Sequence, residues 1–372
     1  MPSRVWQPMR LAVIPGDGIG VEVTAEAVKA VRAAAELSGR VVEIHSLPWG
    51  ADHYLTTGVT VPPGGYDRLR EYDAVLVGAV GDPRVPDHRH ARDILLGTRT
   101  ALDLYVNMRP VRLLDDRLCP LKGRTTRDID FVVFRENTEG LYAGVGGRLR
   151  AGTEDEVAVQ EEINTCRGVR RIIRHAFEFA RADKRRSLCM ADKSNAMREG
   201  HALWQRVFYE EAPAFPEVEA RHLYIDTLAL LMVQDPSQFS VIVTNNLFGD
   251  IITDLGAALQ GGLGLAASGN LHPGRTSMFE PVHGSAPALA GRNVANPMGA
   301  VLSAALMLDH LGWRDEAAAM TSAVQRAIAA SEGTADVGGT LGTRQTGDQL
   351  AERIRSWTGT PASGRHLSRG VS

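Results

Sequence analysis

Cysteine is scarce in this chain. The three present, Cys119, Cys166 and Cys189, stand far apart with no CxxC or metal-ligand spacing. That excludes a disulfide framework and reads as reduced thiols of a cytoplasmic protein. Long hydrophobic runs are missing too. The longest, Thr227 to Val233, is far too short to span a bilayer. The opening MPSRVWQPMRLAVIPG has no apolar stretch of secretory type, and Arg10 interrupts what little there is. Charge of one sign is lacking as well: the net charge of −3 gives no electrostatic reason to expect nucleic acid or an anionic membrane as partner. No internal repeat is visible. What remains is ordinary, 44% hydrophobic and 23% charged over 372 residues. This is room for one large or two ordinary domains.

Strand and helix signals alternate. Leu11–Ile14, Val41–Leu47, Ala74–Val80, Ile129–Phe134, Leu188–Ala191 and Val241–Thr244 read as strands. Helical spacing of apolar residues runs over Val21–Ala35, Val169–Ala180, Gly200–Tyr209, Ile251–Leu259, Gly299–Leu311 and Asp315–Ala330. Such interleaving predicts an α/β fold with a largely parallel central sheet. Glu156–Asn164 breaks the pattern with period two: Val157, Val159 and Ile163 alternate with polar residues after a Gly146-Gly147 turn. A two-stranded ribbon needs something to cover its apolar face. A second subunit is the economical cover, a solvated hairpin the alternative. The tail from Gly359 to Ser372, rich in Gly, Ser and Arg, reads as disordered.

Few residues announce chemistry unaided. Asp250 and Asp254 are four apart after a buried strand, so on a helix they share a face near the ligand-binding end of a sheet. Two such carboxylates invite Mg²⁺ or Mn²⁺ between them, although a helix start simply enriched in acids has the same spacing. Asp226, just after Leu223–Ile225, is a plausible third ligand. Arg99, Arg109 and Arg135 sit near element ends and suit bidentate grip on carboxylates, or solvent. Tyr142 and Lys193 are candidate acid and base. Gly16-Asp17-Gly18-Ile19-Gly20 opens a helix after a strand but fails the full GxGxxG pattern, because position 21 is Val. The loop Glu280–Pro287 could bring its backbone close to a ligand.

Together and in this order, the motifs resemble the isocitrate/isopropylmalate dehydrogenase family of β-decarboxylating dehydrogenases. They are GDGIG at 16–20, RxxLDLYVNMRP at 99–110, RENTEGLY at 135–142, DKSN at 192–195, NLFGDIITD at 246–254 and EPVHGSAP at 280–287. The resemblance, over about residues 10 to 355, implies a two-domain fold with a central mixed sheet that is not a Rossmann fold. Residues 1–104 and 262–372 would form the large cofactor-side domain, and 105–261 the small one. It implies a homodimer in which 156–164 is an interlocking arm, and in which Lys193 and Asp226 reach into the partner's site.

It also implies roles. Arg99, Arg109 and Arg135 would clamp the substrate carboxylates. Asp250 and Asp254, with Asp226 of the partner subunit, would hold Mg²⁺ or Mn²⁺. Lys193 would take the hydroxyl proton, directly or through Asp226, and Tyr142 would protonate the enolate. His283, Gly284, Ser285, Ala286, Pro287 and Asn296 would enclose the adenosine half of NAD. Leu95 and Leu96, four and three residues before Arg99, would share its helical face and present apolar surface to the substrate side chain. That favours 3-isopropylmalate over isocitrate-type substrates, with D-malate or tartrate as the runner-up because YVNMRPVRLLDDRLCPL also looks like their dehydrogenases. One departure stands out: Ala288 replaces the Asp that NAD-using members commonly place there. NAD is still the expected cofactor, since the cations that could meet a 2′-phosphate reduce to Arg292 and Arg344. A non-catalytic metabolite-binding paralogue should have lost one of these groups, and none is lost.

Overall fold

The computed structural model describes residues 8–359. Most of the predicted tail, 360–372, lies outside them. Twelve strands are present among these residues: β1 (Met9–Ile14), β2 (Val42–Ser46), β3 (Ala74–Val77), β4 (Val106–Arg112), β5 (Asp130–Glu136), β6 (Gly146–Leu149), β7 (Val157–Gln160), β8 (Ser187–Asp192), β9 (Glu219–Tyr224), β10 (Val241–Thr244), β11 (Ala267–Leu271) and β12 (Ser277–Pro281). Ten of them form one sheet in the order β2-β1-β3-β12-β11-β4-β5-β10-β8-β9. The outer blocks are parallel, as the interleaved helices require. The centre is not: β12–β11, β11–β4 and β4–β5 pair antiparallel. The sheet is therefore mixed, with six of its nine pairings parallel and the three antiparallel ones at its centre.

The strands that the sequence hid are the central ones. AVLV of β3 is uniformly apolar, VIVT of β10 is apolar up to Thr244, and both are wholly buried, the signature of a strand covered on both faces. β4 and β11 read VNMRPVR and ASGNL, and they too are almost wholly buried. Their buried amide N–H groups are bonded sideways, while the Asn107 and Asn137 side-chain oxygens are buried without a partner. Asn107 Nδ2 donates to Ser268 Oγ (2.9 Å) and Asn270 Oδ1 (3.0 Å), and Asn137 Nδ2 also donates to Asn270 Oδ1 (2.9 Å). A buried amide costs little when its partners are in place.

Alternation along β4 and β5 sorts their side chains to two faces. Met108 and Phe134 join a large apolar core with the helices Ile19–Ser38, Cys166–Ala182 and Met298–His310. Val111, Phe131 and Val133 join a smaller core on the other face, drawn only from residues 111–259. Arg109 and Arg135 share the parity of this second set. A third cluster, on Trp49, Leu69, Val75, Ile94 and Leu104, comes from residues 12–104 plus Met278. The helix Cys166–Ala182 starts where Thr165 accepts from the Gly168 N–H (3.0 Å). It turns Val169, Ile172, Ile173, Ala176 and Phe177 inward at helical spacing.

The ribbon at 156–164 is real but differs in detail. Gly146 and Gly147 lie within β6, not in a turn, and β6 pairs antiparallel with β7. All residues of both strands are exposed, and Leu149, Val157 and Val159 offer apolar surface to solvent. No helix among the described residues is long and apolar enough to cross a membrane.

Candidate active site

Three buried arginines gather here, and two of them meet at one carboxylate. Arg99 lies in the short helix Thr98–Ala101, Arg109 on β4 and Arg135 on β5, and all three are buried. Each is held by a group that the reading above did not single out. Arg99 Nη2 donates to Glu280 Oε1 (2.8 Å), which also accepts from Asn270 Nδ2 (2.9 Å). Arg109 Nη1 donates to Thr253 Oγ1 (2.5 Å), and Arg135 Nε to Asn246 Oδ1 (2.9 Å). Glu280, Asn246 and Thr253 lie inside the motifs EPVHGSAP and NLFGDIITD, so their presence there was the available signal. Asp250, on the helix Asn246–Leu259, pairs with Arg135 and lies 3.5 Å from Arg109 Nη2. Its other oxygen accepts from Tyr142 Oη (3.1 Å), and the Arg135 guanidinium carbon lies 5.4 Å from the centre of the Tyr142 ring.

The electrostatics suit the binding of an anion. Burial pushes Arg135 down to about 9, and the nearby charges of Arg109 and Arg99 add to it; Arg109 is lowered chiefly by burial too. The Nε of Arg99 and the Nε of Arg109 are buried without a hydrogen-bond partner. Desolvated guanidiniums with donors to spare are stable when a carboxylate completes them. Burial alone would raise Asp250, but Arg135 and Arg109, with the Tyr142 hydroxyl, outweigh it and hold its carboxyl below the ordinary range. Burial and the Asp250 charge raise Tyr142, so its hydroxyl keeps its proton.

Asp254, one turn further along the same helix, is exposed, and its carboxyl is raised by partial burial and by the Asp250 charge, against the pull of Arg109. A cation between these two carboxylates would relieve that repulsion, so the pair fits a hard divalent metal. The described residues of a single chain bring no third acid, histidine or cysteine to it. Asp226 stands elsewhere, in the first turn of the helix Ile225–Gln234, where Lys193 Nζ lies 2.9 Å from its Oδ2 and holds its carboxyl low. Lys193 is aimed by its surroundings. Its N–H donates to His201 Nδ1 (2.7 Å), while Asp192 Oδ1 accepts from Ser194 N (3.0 Å) and is bonded to His222 Nε2 (2.9 Å). Lys193 is half-buried and Asp226 exposed, and the pair touches none of the three arginines.

The loop 283–287 packs on GDGIG. Ile19 N donates to Ser285 O (2.8 Å), and a Cβ on Gly18, whose φ is +56°, would lie 2.0 Å from that same oxygen. Asp17 faces inward, accepting from Ala51 N (2.7 Å) and Gly81 N (2.8 Å) and bonded to His90 Nε2 (3.0 Å), so this loop is a brace. His283 Nε2 is buried without a partner. Asn296 Nδ2 donates to Asp336 Oδ2 (2.8 Å). Gly284, Pro287 and Ala288 are exposed, leaving their backbone accessible.

The sequence model of the isocitrate/isopropylmalate dehydrogenase family matches residues 10–352. The chain belongs to this family. A 3-isopropylmalate dehydrogenase of Thermobifida fusca is 46% identical over 348 residues, covering 93% of this chain and 98% of that one. One of Nocardia farcinica is 48% identical, covering 93% and 100%. Among solved structures, an isocitrate dehydrogenase from Methylococcus capsulatus superposes with a TM-score of 0.86 at 33% identity, covering 94% of this chain and all of that one. The dehydrogenase fold predicted from the motifs is thus present.

One prediction at the site needs correction. Leu95 and Leu96 do not lie on a regular helix with Arg99. Asp93–Gly97 is a π-helical turn between the α-helical segments Arg89–Arg92 and Thr98–Ala101. Wider turns of this kind rotate the residues before them relative to those after. Leu95 packs against the Trp49–Ile94 core, while Leu96 is half-buried and belongs to no apolar cluster of the described residues. The two leucines are therefore not equivalent.

Proposed function

We propose that this protein oxidises and decarboxylates 3-isopropylmalate to 4-methyl-2-oxopentanoate, a step of leucine biosynthesis, with NAD as hydride acceptor and Mg²⁺ or Mn²⁺ as cofactor. The observation that carries this reading is the cluster of three buried arginines, two of them with an unpartnered donor, beside two mutually repelling carboxylates and preceded by the half-buried Leu96. The names of the relatives above agree with it. Arg99, Arg109 and Arg135 would orient the two carboxylates of a malate. Asp250 and Asp254 would hold the metal, which acidifies a bound hydroxyl and stabilises enolate charge. Tyr142, kept protonated, would deliver a proton to C3. Lys193, paired with Asp226, is fit to accept one from the C2 hydroxyl.

Because Lys193 and Asp226 lie away from the arginines of their own chain, we infer that they serve a second subunit's site. The exposed apolar ribbon of β6 and β7 would be the arm of that homodimer. Residues 1–104 with 262–372, and residues 105–261, would be its two domains, as the second and third apolar clusters divide. The loop 283–287 with Asn296 would receive the adenosine half of NAD. Ala288 offers no carboxylate to a ribose hydroxyl, so recognition would rest on that loop's backbone. A cytoplasmic location fits this biosynthetic role.

The test is a panel of 3-isopropylmalate, D-malate, tartrate and isocitrate, each with NAD or NADP and Mn²⁺, before and after EDTA. Turnover should be fastest with 3-isopropylmalate and NAD, vanish with EDTA and return with Mn²⁺. Faster turnover of D-malate would move the assignment to the second reading. That reading is favoured by one observation, the packing of half-buried Leu95 against the Trp49–Ile94 core.

A further inference from the structure

The π turn before Arg99 is fixed from outside the helix. Tyr66, in the short helix Gly65–Leu69, donates its hydroxyl to the Asp93 carbonyl oxygen (2.8 Å). Thr60 Oγ1 donates to Asp93 Oδ2 (2.7 Å). Gly97, the last residue of the turn, makes the approach possible: a Cβ there would lie 2.2 Å from the Tyr66 hydroxyl oxygen and 3.1 Å from Cζ. Gly97 has ordinary helical angles, so glycine is required there for space and not for φ. An Asp93 carbonyl held by a phenol can be spared from the regular i to i+4 ladder. Burial and the Asp93 charge both raise Tyr66, which keeps the hydroxyl a donor.

We propose that Tyr66, Thr60 and Gly97 are positioning residues for substrate choice. By holding Asp93 they keep the π turn, which packs Leu95 against the Trp49–Ile94 core and leaves Leu96, in no apolar cluster, to meet the group on C3 of the substrate. None of the three touches substrate. The proposal rests on the 3-isopropylmalate reading for its kinetic readout alone.

Tyr66→Phe should raise KM for 3-isopropylmalate by about 10-fold, the order of a displaced apolar contact. KM for D-malate, which has no C3 substituent, and kcat for both should stay within about 2-fold. Gly97→Ala should do the same, because its methyl displaces the hydroxyl. Adding Gly97→Ala to Tyr66→Phe should cost far less than Gly97→Ala alone, since the clashing oxygen is gone and only the 3.1 Å approach to the ring carbon remains; such non-additivity is what a shared contact produces. Additive losses, or equal losses on both substrates, would overturn the proposal as a general folding defect. Amide exchange over 93–97 gives a readout independent of substrate. It should quicken in Tyr66→Phe, and unchanged exchange would sink the link to the turn. A wild-type enzyme inactive on 3-isopropylmalate would sink the functional reading while leaving the exchange result to decide this one.

Discussion

The arginine cluster and the Lys193–Asp226 pair are both made of paired charges, yet they are built differently. Arg135 is 1% exposed, locked by Asn246 and Asp250 and stacked near Tyr142. Each of its neighbours has a second bond of its own. Lys193 and Asp226 are 28% and 63% exposed at the side chain and hold only each other, at the β8–β9 edge of the sheet. Buried charges need pre-arranged partners or they unfold the site. An exposed pair contributes little to stability and is free to exchange its partner for another. The first half is braced on all sides within one chain, whereas the second has an ordered backbone and mobile charged ends.

That contrast is most sharply tested by breaking the buried half. Arg135→Ala should lower kcat/KM by at least about 10³-fold, because it removes a substrate donor and leaves Asp250 without its main partner. A fall below 10-fold would mean that the cluster does not bind the substrate. Next comes the exposed half. Lys193→Ala should lose most activity with little change in thermal midpoint. If the pair works in the other subunit, mixing Lys193→Ala and Arg135→Ala chains yields heterodimers with one intact and one doubly damaged site. About a quarter of wild-type activity should then return after random exchange. Exchange demonstrated by mass, with no recovered turnover, would place Lys193 in its own chain's site.

The same contrast explains what the sequence disclosed. The outer strands β3 and β10 were legible as apolar runs, and Asp250–Asp254 as a helical spacing. The antiparallel centre was not. β4 and β11 carry Asn107, Arg109 and Asn270, whose burial is paid for by hydrogen bonds to residues over a hundred positions away. No local pattern encodes such partners. The arginines drew attention only through their motif context, because a buried guanidinium and a solvated one look alike in sequence. Gly97 read as part of a regular helix. The reason it is glycine lies at Tyr66, 31 residues earlier, and appears only when the two are packed.

A smaller effect bears on the apolar edge of the arginine cluster. Leu96→Arg should reduce kcat/KM for 3-isopropylmalate by about 10- to 200-fold, as an apolar contact is replaced by a charge needing solvent. D-malate should suffer less. Leu95→Ala, by contrast, should act mainly on stability, since Leu95 packs in the core. If the Leu95 change alters the substrate ratio more than the Leu96 change, the two leucines have been assigned the wrong way round.

The smallest expected effect distinguishes the metal reading from a merely acidic helix. Asp254 has its carboxyl raised by burial and by Asp250. A carboxyl with a higher pKa folded than unfolded destabilises the fold once pH rises through that raised value, and is harmless below the ordinary carboxylate range. In metal-free buffer at neutral pH, Asp254→Asn should therefore raise the thermal midpoint, by no more than about 1–2 °C for an exposed group in a chain of this size. The gain should vanish as the buffer is acidified below the ordinary range. Saturating Mn²⁺ should reverse the order, stabilising the wild type by linkage and the variant hardly at all. A midpoint that responds equally to Mn²⁺ in both proteins would show that the cation binds elsewhere, and would leave Asp250 and Asp254 as acids at a helix start.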